Sequence, residues 1–217
     1  MASHKNSGQK TICVHTGETP DKQFRGAISP IYMASSYEFM EVDVKRYPRY
    51  FNTPNQEFLS KKIAALEGTE GALIFSSGMA AISHMFLAFL QKGDHLVVQN
   101  TLYGGTVNFI KEEFPKYGIE YTFTNGYKAK DFEDVIQSNT KLIHIETPSN
   151  PLLTITDIRD VTQLARSKGI LTSIDNTFAS PINQKPIEFG VDLVMHSATK
   201  YFGGHSDLSA GAVASSH

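Results

Sequence analysis

From about residue 55 onward, apolar and polar positions alternate in blocks that repeat as a strand followed by a helix. Short apolar runs predict six buried strands, at 71–75, 95–99, 119–123, 141–145, 170–174 and 191–195. Segments with helical spacing of apolar residues lie before and between these strands, at 55–68, 79–90, 105–117, 131–138 and 157–168. This alternation predicts an α/β protein with a mostly parallel sheet and helices on both of its faces.

The boundaries of this region also carry signals. The first helix is predicted to begin with an Asn55 cap and to end at Gly68. Residues before it show little periodicity and are rich in Gly, Pro, Ser and Tyr. We therefore predict an extended N-terminal arm over residues 1–55 and one α/β domain over residues 56–217.

Composition narrows the class of protein. With 41% hydrophobic and 19% charged residues among 217, the chain fits a soluble globular protein. A net charge of -2 gives no electrostatic reason to expect nucleic acid or an anionic membrane as partner. Cys13 is the single cysteine, which excludes an internal disulfide. The N-terminus lacks the apolar core of a signal peptide, and run 79–90 is too short to span a bilayer, so we expect a cytoplasmic location.

Unusual polar residues follow five of the predicted strands. In open parallel sheets, ligands bind outside the carboxyl ends of the strands. The segments at these ends are 76–78, 100–105, 146–151, 175–177 and 196–200. They are expected to converge on one rim, although loops are polar in any case.

Two of these segments suggest binding of a charged group. "SSGMAAI" (76–82) puts small residues where a strand turns into a helix, which leaves free N–H groups for an anion such as phosphate. It has neither the lysine of a Walker loop nor three glycines, so a nucleotide is not indicated. A buried Asp175 needs a partner, which would be either a cation, such as a protonated ring nitrogen, or a local cap.

Other residues suggest covalent and stacking roles. Lys200, among hydroxyls at a strand end, could form a Schiff base with an aldehyde. Tyr103 could stack on a planar ring or face the core. His144 and Glu146 share one strand face but have no third ligand at useful spacing, so we expect no metal site and a structural role for both. His196 and His205 are interpreted in the same way.

Taken in order, several motifs resemble the Cys/Met-metabolism family of pyridoxal 5'-phosphate (PLP) enzymes, which includes the cystathionine lyases, cystathionine γ-synthase and the O-acylhomoserine sulfhydrylases. The motifs of the α/β region are "SSGMAAI", "YGGT" (103–106), "ETPSNP" (146–151), "DNTF" (175–178) and "SATKYFGGHSD" (197–207). The arm contributes "HTGETPD" (15–21), "GAISPIY" (26–32) and "YPRYFNTPN" (47–55). The resemblance runs from about His15 to the last residues and implies the fold of the large domain of fold-type I PLP enzymes.

The resemblance implies a role for each residue of the PLP site. Lys200 would bind the cofactor aldehyde and, once the substrate amine has displaced it, act as the general base. Asp175 would keep the pyridine nitrogen protonated, Tyr103 would stack on the ring, and Asn150 would bond its phenolic oxygen. The phosphate would contact Gly78, Met79, Ser197 and Thr199.

The resemblance also implies a homo-oligomer, because Tyr47 and Arg49 match family residues that reach the phosphate of a neighbouring subunit. The implied substrates are small sulfur amino acids or O-acylhomoserines. A cystathionine lyase reaction, an α,β- or α,γ-elimination, ranks slightly ahead of γ-synthase or sulfhydrylase chemistry. Gly105 stands where methionine γ-lyases usually have a cysteine, which disfavours that branch.

Family members are about twice as long as this chain, and their C-terminal domain supplies the arginine that binds the substrate carboxylate. Three explanations are open for the missing domain. We favour truncation of a longer enzyme over a separate chain that supplies the domain, and over a short, inert protein that only binds the cofactor. A sugar- or nucleotide-binding α/β domain without enzymatic activity is a more distant alternative. The chain ends at "AGAVASSH" (210–217), just after what should be another strand, and we expect that strand to leave an exposed sheet edge.

Overall fold

A computed structural model describes residues 8–216 and contains one seven-stranded sheet. The strand order across the sheet is β1-β7-β6-β5-β4-β2-β3. The strands are β1 Gly71–Phe75, β2 His95–Val98, β3 Glu120–Phe123, β4 Thr140–Glu146, β5 Leu171–Asp175, β6 Leu193–His196 and β7 Gly211–Ser215. Strands β2 to β6 form the parallel part, which confirms the predicted fold class.

The last strand does not form an edge, so the expectation of an exposed terminal strand is wrong. β7 lies between β1 and β6 and is antiparallel to both of them. Gly211 makes this position possible, because the chain here lies very close to the turn that follows β1. A Cβ atom on residue 211 would lie 2.1 Å from the backbone oxygen of Ser77. β1 and β3 are the edge strands instead.

The helices differ from their predicted bounds mainly at their ends. They are α1 Gln9–His15, α2 Pro54–Glu67, α3 Gly78–Phe89, α4 Gly104–Tyr117, α5 Ala129–Glu133, α6 Ile158–Ser167 and α7 Ser180–Asn183. Thr53, and not Asn55, caps α2, because Thr53 and Gln56 form a reciprocal capping box. Helix α5 starts earlier and is shorter than predicted, since the chain turns at Gln137, whose N–H donates to Thr140 Oγ1 (2.8 Å) and leads into β4.

Both faces of the sheet are covered by apolar side chains. Leu96 and Val98 of β2 belong to a core cluster with Phe86 of α3 and Phe114 of α4. Val97, which lies between them on β2, belongs to a second cluster formed largely with residues of β4, β5, β6 and α6. Successive side chains of β2 thus alternate between the two clusters, which shows that helices pack on both faces of the sheet. This packing holds in place the strand ends that form the site.

The predicted arm contains more regular structure than expected. It includes α1 and a 3₁₀ turn at Pro48–Tyr50, and Gln9 Nε2 donates to the carbonyl of Pro181 (3.0 Å). Between these elements the arm exposes large apolar side chains, including Phe24 and Met33. Residues 1–7 of the predicted arm lie outside the described residues. Across residues 8–216, the structure contains no helix with the length and apolarity needed to cross a membrane.

Candidate active site

A cavity of about 710 Å³ opens at the carboxyl ends of β4, β5 and β6. Eight of the predicted site residues line it, namely Gly78, Met79, Tyr103, Asn150, Asp175, Ser197, Thr199 and Lys200. A second cavity of about 700 Å³ lies against α1 and α7 and includes none of them. The convergence of strand ends that the sequence predicted is therefore present on one rim.

One wall of the cavity is the start of α3. Ser77 caps this helix, because its side chain accepts a hydrogen bond from the N–H of Ala80 (3.0 Å). Gly78 is packed so closely against Ser197 that a Cβ atom would lie 2.7 Å from the Ser197 Cβ. A helix N-terminus held against a serine is a cradle suited to an anion such as phosphate.

Asp175 is the last residue of β5 and is buried beside the cavity. Its Oδ1 accepts a hydrogen bond from the N–H of Thr177 (2.9 Å). Asp175 therefore forms a local cap, which was one of its two predicted roles. Burial raises the pKa of the Asp175 carboxyl, and this outweighs the opposing effects of Thr177 and of the charge on His196. Within residues 8–216, Asp175 has no salt-bridge partner, so a cationic group in the cavity would satisfy it.

Glu146 is a second buried carboxylate in the cavity wall, and the sequence analysis assigned it only a structural role. It ends β4 beside Asp175 of β5, its register partner. Its two oxygens accept the N–H groups of Tyr103 and Asn150, each at 2.7 Å. Burial and the charge of Asp175 raise the pKa of Glu146 to about 8, despite the two hydrogen bonds that oppose the shift. Glu146 thus holds in place the two loops that contain Tyr103 and Asn150, the residues predicted to contact the cofactor ring.

Tyr103 faces the cavity and not the core, so the core alternative for this residue is wrong; 47% of it is exposed. Its ring lies over Gly105, where a Cβ atom would be 2.5 Å from the Tyr103 Cε1 atom. A larger residue at this position would displace the ring. Position 105 therefore sets where a planar ligand can stack against Tyr103.

Lys200 lies in the turn that follows β6 and lines the cavity. The turn is fixed by backbone hydrogen bonds from Lys200 N–H to Ser197 O (3.1 Å) and from Gly204 N–H to Lys200 O (2.8 Å). Thr199 anchors the same turn, since its hydroxyl donates to Ala210 O (3.1 Å). The ammonium group of Lys200 forms no hydrogen bond or ion pair with residues 8–216, which leaves it free for a ligand.

Tyr47 and Arg49 do not line this cavity. They contact each other through the Arg49 guanidinium and the Tyr47 hydroxyl, and both lie at the 3₁₀ turn of the arm. Tyr47 also packs edge-on against Tyr50, with ring centroids 5.3 Å apart. Their predicted role at a neighbouring subunit's site stays a prediction.

The three histidines considered as possible ligands, His144, His196 and His205, differ in environment. His144 is fully buried and bonds Ser173 Oγ (2.9 Å) through Nδ1, and burial lowers its pKa to about 3. His196 is paired with buried Glu67, whereas His205 lines the cavity. The structural role expected for His205 stays a prediction. No group of three potential metal ligands occurs in the described part of the chain.

Several cavity residues were missed from sequence. Thr177 is the clearest, because its N–H donates to Asp175 and its hydroxyl accepts from Ser197 N–H (2.8 Å). It therefore links the buried carboxylate to the anion cradle. Its position two residues after Asp175 was the available signal, but the sequence could not show that Ser197 lies beside it.

The residues in the cavity fit PLP. The α3 cradle suits its phosphate, Asp175 suits a cationic ring nitrogen, Tyr103 offers a ring face, and Lys200 offers a free amine. A doubly covered, mostly parallel sheet with this set at its carboxyl edge defines the class as a PLP-binding α/β domain of fold type I.

The chain belongs to the family of Cys/Met metabolism PLP-dependent enzymes, whose model matches residues 10–217. It is 47% identical over 193 residues to the cystathionine β-lyase MetC of Bacillus subtilis, and 39% identical over 212 residues to a probable cystathionine γ-synthase of Herpetosiphon aurantiacus. The crystal structure of cystathionine γ-lyase from Lactobacillus plantarum, complexed with L-serine, superimposes with a TM-score of 0.91 at 38% identity.

The similarity covers most of this chain but only part of each relative. It includes 87% of the chain and 49% of the B. subtilis protein, and 97% of the chain and 66% of the H. aurantiacus protein. For the L. plantarum structure the shares are 97% and 55%. The chain thus spans about half to two thirds of the length of these relatives.

Proposed function

We propose that this chain is the cofactor-binding part of a trans-sulfuration enzyme that catalyses a cystathionine lyase-type elimination. The observation that carries the proposal is the pairing, in one cavity, of a free lysine with a buried carboxylate that lacks a cation. A ligand with both a carbonyl and a cationic centre would use both groups, the carbonyl with the lysine amine and the cation with the carboxylate. The relatives named above support the choice of sulfur amino acids as substrates.

The assignment of residues to PLP combines their positions in the cavity with the roles that the family resemblance implies. Gly78, Met79, Ser197 and Thr199 would hold the phosphate, and Asp175 would hold the ring nitrogen in its protonated form. Asn150 would bond the phenolic oxygen, and Tyr103 would stack on the ring. Lys200 would bind the aldehyde through its amine.

The reaction needs a base that stays close to the substrate Cα atom. When bound, PLP supplies an electron-poor ring that accepts the charge left by removal of the α-proton. Lys200 would take that proton as general base, since backbone hydrogen bonds fix its turn beside the cavity. Asp175 keeps the ring electron-poor because a buried carboxylate favours the proton on the ring nitrogen.

Replacement at Cγ, as in a cystathionine γ-synthase, is the second candidate, and the H. aurantiacus relative favours it. The two reactions differ in their products. Elimination from cystathionine releases a thiol, ammonia and a 2-oxo acid, whereas γ-replacement on an O-acylhomoserine releases a carboxylic acid and forms a new C–S bond. Assaying both substrates for 2-oxo acid and for thioether product therefore distinguishes them.

Borohydride reduction followed by peptide mapping tests the cofactor assignment. The expected result is one PLP adduct per chain, located on Lys200, and its absence in the Lys200→Ala variant. Lys116→Ala serves as the control, because Lys116 lies on the exposed face of α4 and pairs only with Glu113 (2.8 Å). An adduct on another lysine, or none after incubation with excess PLP, would contradict the assignment.

We also propose a homo-oligomer in which Tyr47 and Arg49 complete the phosphate site of a neighbouring subunit. The exposed apolar side chains of the arm support contact with a second copy. Mixing Arg49→Ala subunits with Lys200→Ala subunits tests this directly. One site of each mixed dimer would regain both native residues, so PLP retention and activity should recover. No recovery in subunits that are shown to exchange would argue against a shared site.

A further inference from the structure

Glu67 is a buried carboxylate outside the cavity that the mechanism does not use. It is the last residue of α2 and has 0% of its surface exposed. Its Oε1 accepts a hydrogen bond from Asn176 Nδ2 (3.0 Å) and is paired with Nε2 of His196. Within residues 8–216 its other oxygen, Oε2, is buried and has no hydrogen-bond partner.

This arrangement is costly for folding alone. A buried carboxylate loses its hydration, and the C-terminus of a helix repels negative charge. The unpartnered oxygen adds to the cost. Because well-packed apolar groups often replace buried ion pairs without loss of stability, core packing does not explain the presence of Glu67.

The two partners of Glu67 are sequence neighbours of predicted cofactor residues on two different strands. Asn176 follows Asp175 at the end of β5, and His196 precedes Ser197 at the end of β6. One carboxylate oxygen therefore ties the two strand ends together behind the cavity. This tie joins the strand end that carries Asp175 to the strand end that carries Ser197.

Further contacts make the connection rigid. Asn176 N–H donates to Met195 O (2.9 Å), and its side chain also donates to Gln184 O (3.1 Å). The His196 ring packs against Phe202 with centroids 4.5 Å apart. In addition, the charge on His196 partly opposes the effect of burial, which on balance raises the pKa of Asp175.

We propose that Glu67 is a positioning residue for the cofactor site, acting through Asn176 and His196 on the placement of Asp175 and Ser197. The inference rests on the proposed PLP site. Glu67 contacts neither the cavity nor the ligand, so its effect is on how tightly, and in what geometry, PLP is held.

The test uses the complete natural polypeptide that carries this sequence, freed of cofactor and then titrated with PLP. Visible absorption gives both the Kd and the spectrum of the bound cofactor. Glu67→Leu removes both contacts and is expected to raise the Kd on the order of tenfold, as loss of outer-shell partners does in metal sites. Glu67→Gln keeps the acceptor oxygen and should bind PLP with a Kd within about threefold of the unsubstituted protein.

His95→Gln is the control, because His95, like Glu67, is a fully buried polar residue but lies at the start of β2. It bonds Thr140 Oγ1 (2.8 Å) and Thr122 Oγ1 (2.9 Å), far along the strands from the cavity. This variant should unfold at lower temperature yet bind PLP normally. Comparison of the two variants therefore separates a loss of stability, seen in the unfolding temperature, from a loss of cofactor positioning, seen in the Kd for PLP.

An unchanged Kd and spectrum in folded Glu67→Leu would overturn the proposal, as would equal losses in the Leu and Gln variants. If Glu67→Leu does not fold, Asn176→Ala decides by the same criterion, because it removes one of the two contacts. Failure of the unsubstituted protein to form a Lys200 adduct would instead refute the proposed function and is detected separately.

Discussion

The adjacent carboxyl groups of Glu146 and Asp175 predict an unusual pH dependence of stability in the cofactor-free protein. Burial raises the pKa of both groups, and that of Glu146 to about 8 from an ordinary 4.5. Glu146 therefore keeps a proton in the folded state that it has already lost in the unfolded state. Such a group stabilises the fold fully below its unfolded pKa, and this contribution is lost as the pH rises through the folded pKa.

The magnitude follows from proton linkage. One extra proton in the folded state changes the free energy of unfolding by about 1.36 kcal/mol per pH unit. Between pH 6.5 and pH 8 this amounts to a loss of about 1.5 kcal/mol for Glu146. The window starts at 6.5 because His144, with its pKa lowered to about 3, acts with the opposite sign at lower pH. That opposing pH dependence fades over about one unit above the ordinary value of 6.5, as the unfolded state loses its proton too.

Urea unfolding of the cofactor-free protein at several pH values between 6.5 and 8 measures this loss. In Glu146→Gln the position no longer titrates, so the decline in the free energy of unfolding with pH should largely disappear. The altered hydrogen bonds to Tyr103 and Asn150 can change the free energy of unfolding at every pH, but not its pH dependence. Glu112→Gln, an exposed carboxylate on α4, is the control and should keep the decline. An equal decline in the Glu146→Gln protein and the unsubstituted protein would refute the reasoning.

Two further predictions concern the predicted phosphate and ring contacts. Gly78→Ala should weaken PLP binding, because the new methyl group needs space now taken by Ser197 and would displace this predicted phosphate contact. Overpacking of this kind should also lower the free energy of unfolding by about 1–3 kcal/mol, which urea unfolding measures. Gly71→Ala, where a Cβ atom meets nothing within 4 Å, should bind PLP normally, and equal affinity of both variants would contradict the cradle. Gly105→Cys should displace the Tyr103 ring and alter the spectrum of bound PLP, while an unchanged spectrum would show that the ring does not contact the cofactor.

Local patterns were enough to predict the fold class and most of the cavity lining. The parallel strands are short apolar runs, and their ends meet at one edge because parallel strands share a direction. Lys200, Asp175 and Tyr103 were therefore placed together without knowledge of long-range contacts. β7 was mispredicted as an edge because pairing depends on a partner far away in sequence, in this case β1, which lies about 140 residues earlier.

The residues that support the site were beyond such patterns for a physical reason. Glu67 and Glu146 look like ordinary charged residues near the ends of a helix and a strand, and only the tertiary fold buries them. Each carboxylate offers several acceptor positions, so one side chain can bind groups from two distant segments, as Glu146 does with the Tyr103 and Asn150 loops. Residues that contact a ligand can be predicted from the positions of the strand ends. Residues that hold these contact residues in place can be predicted only when it is known which segments pack together. Variants of Glu67 and Glu146 therefore test the site more severely than variants of Lys200.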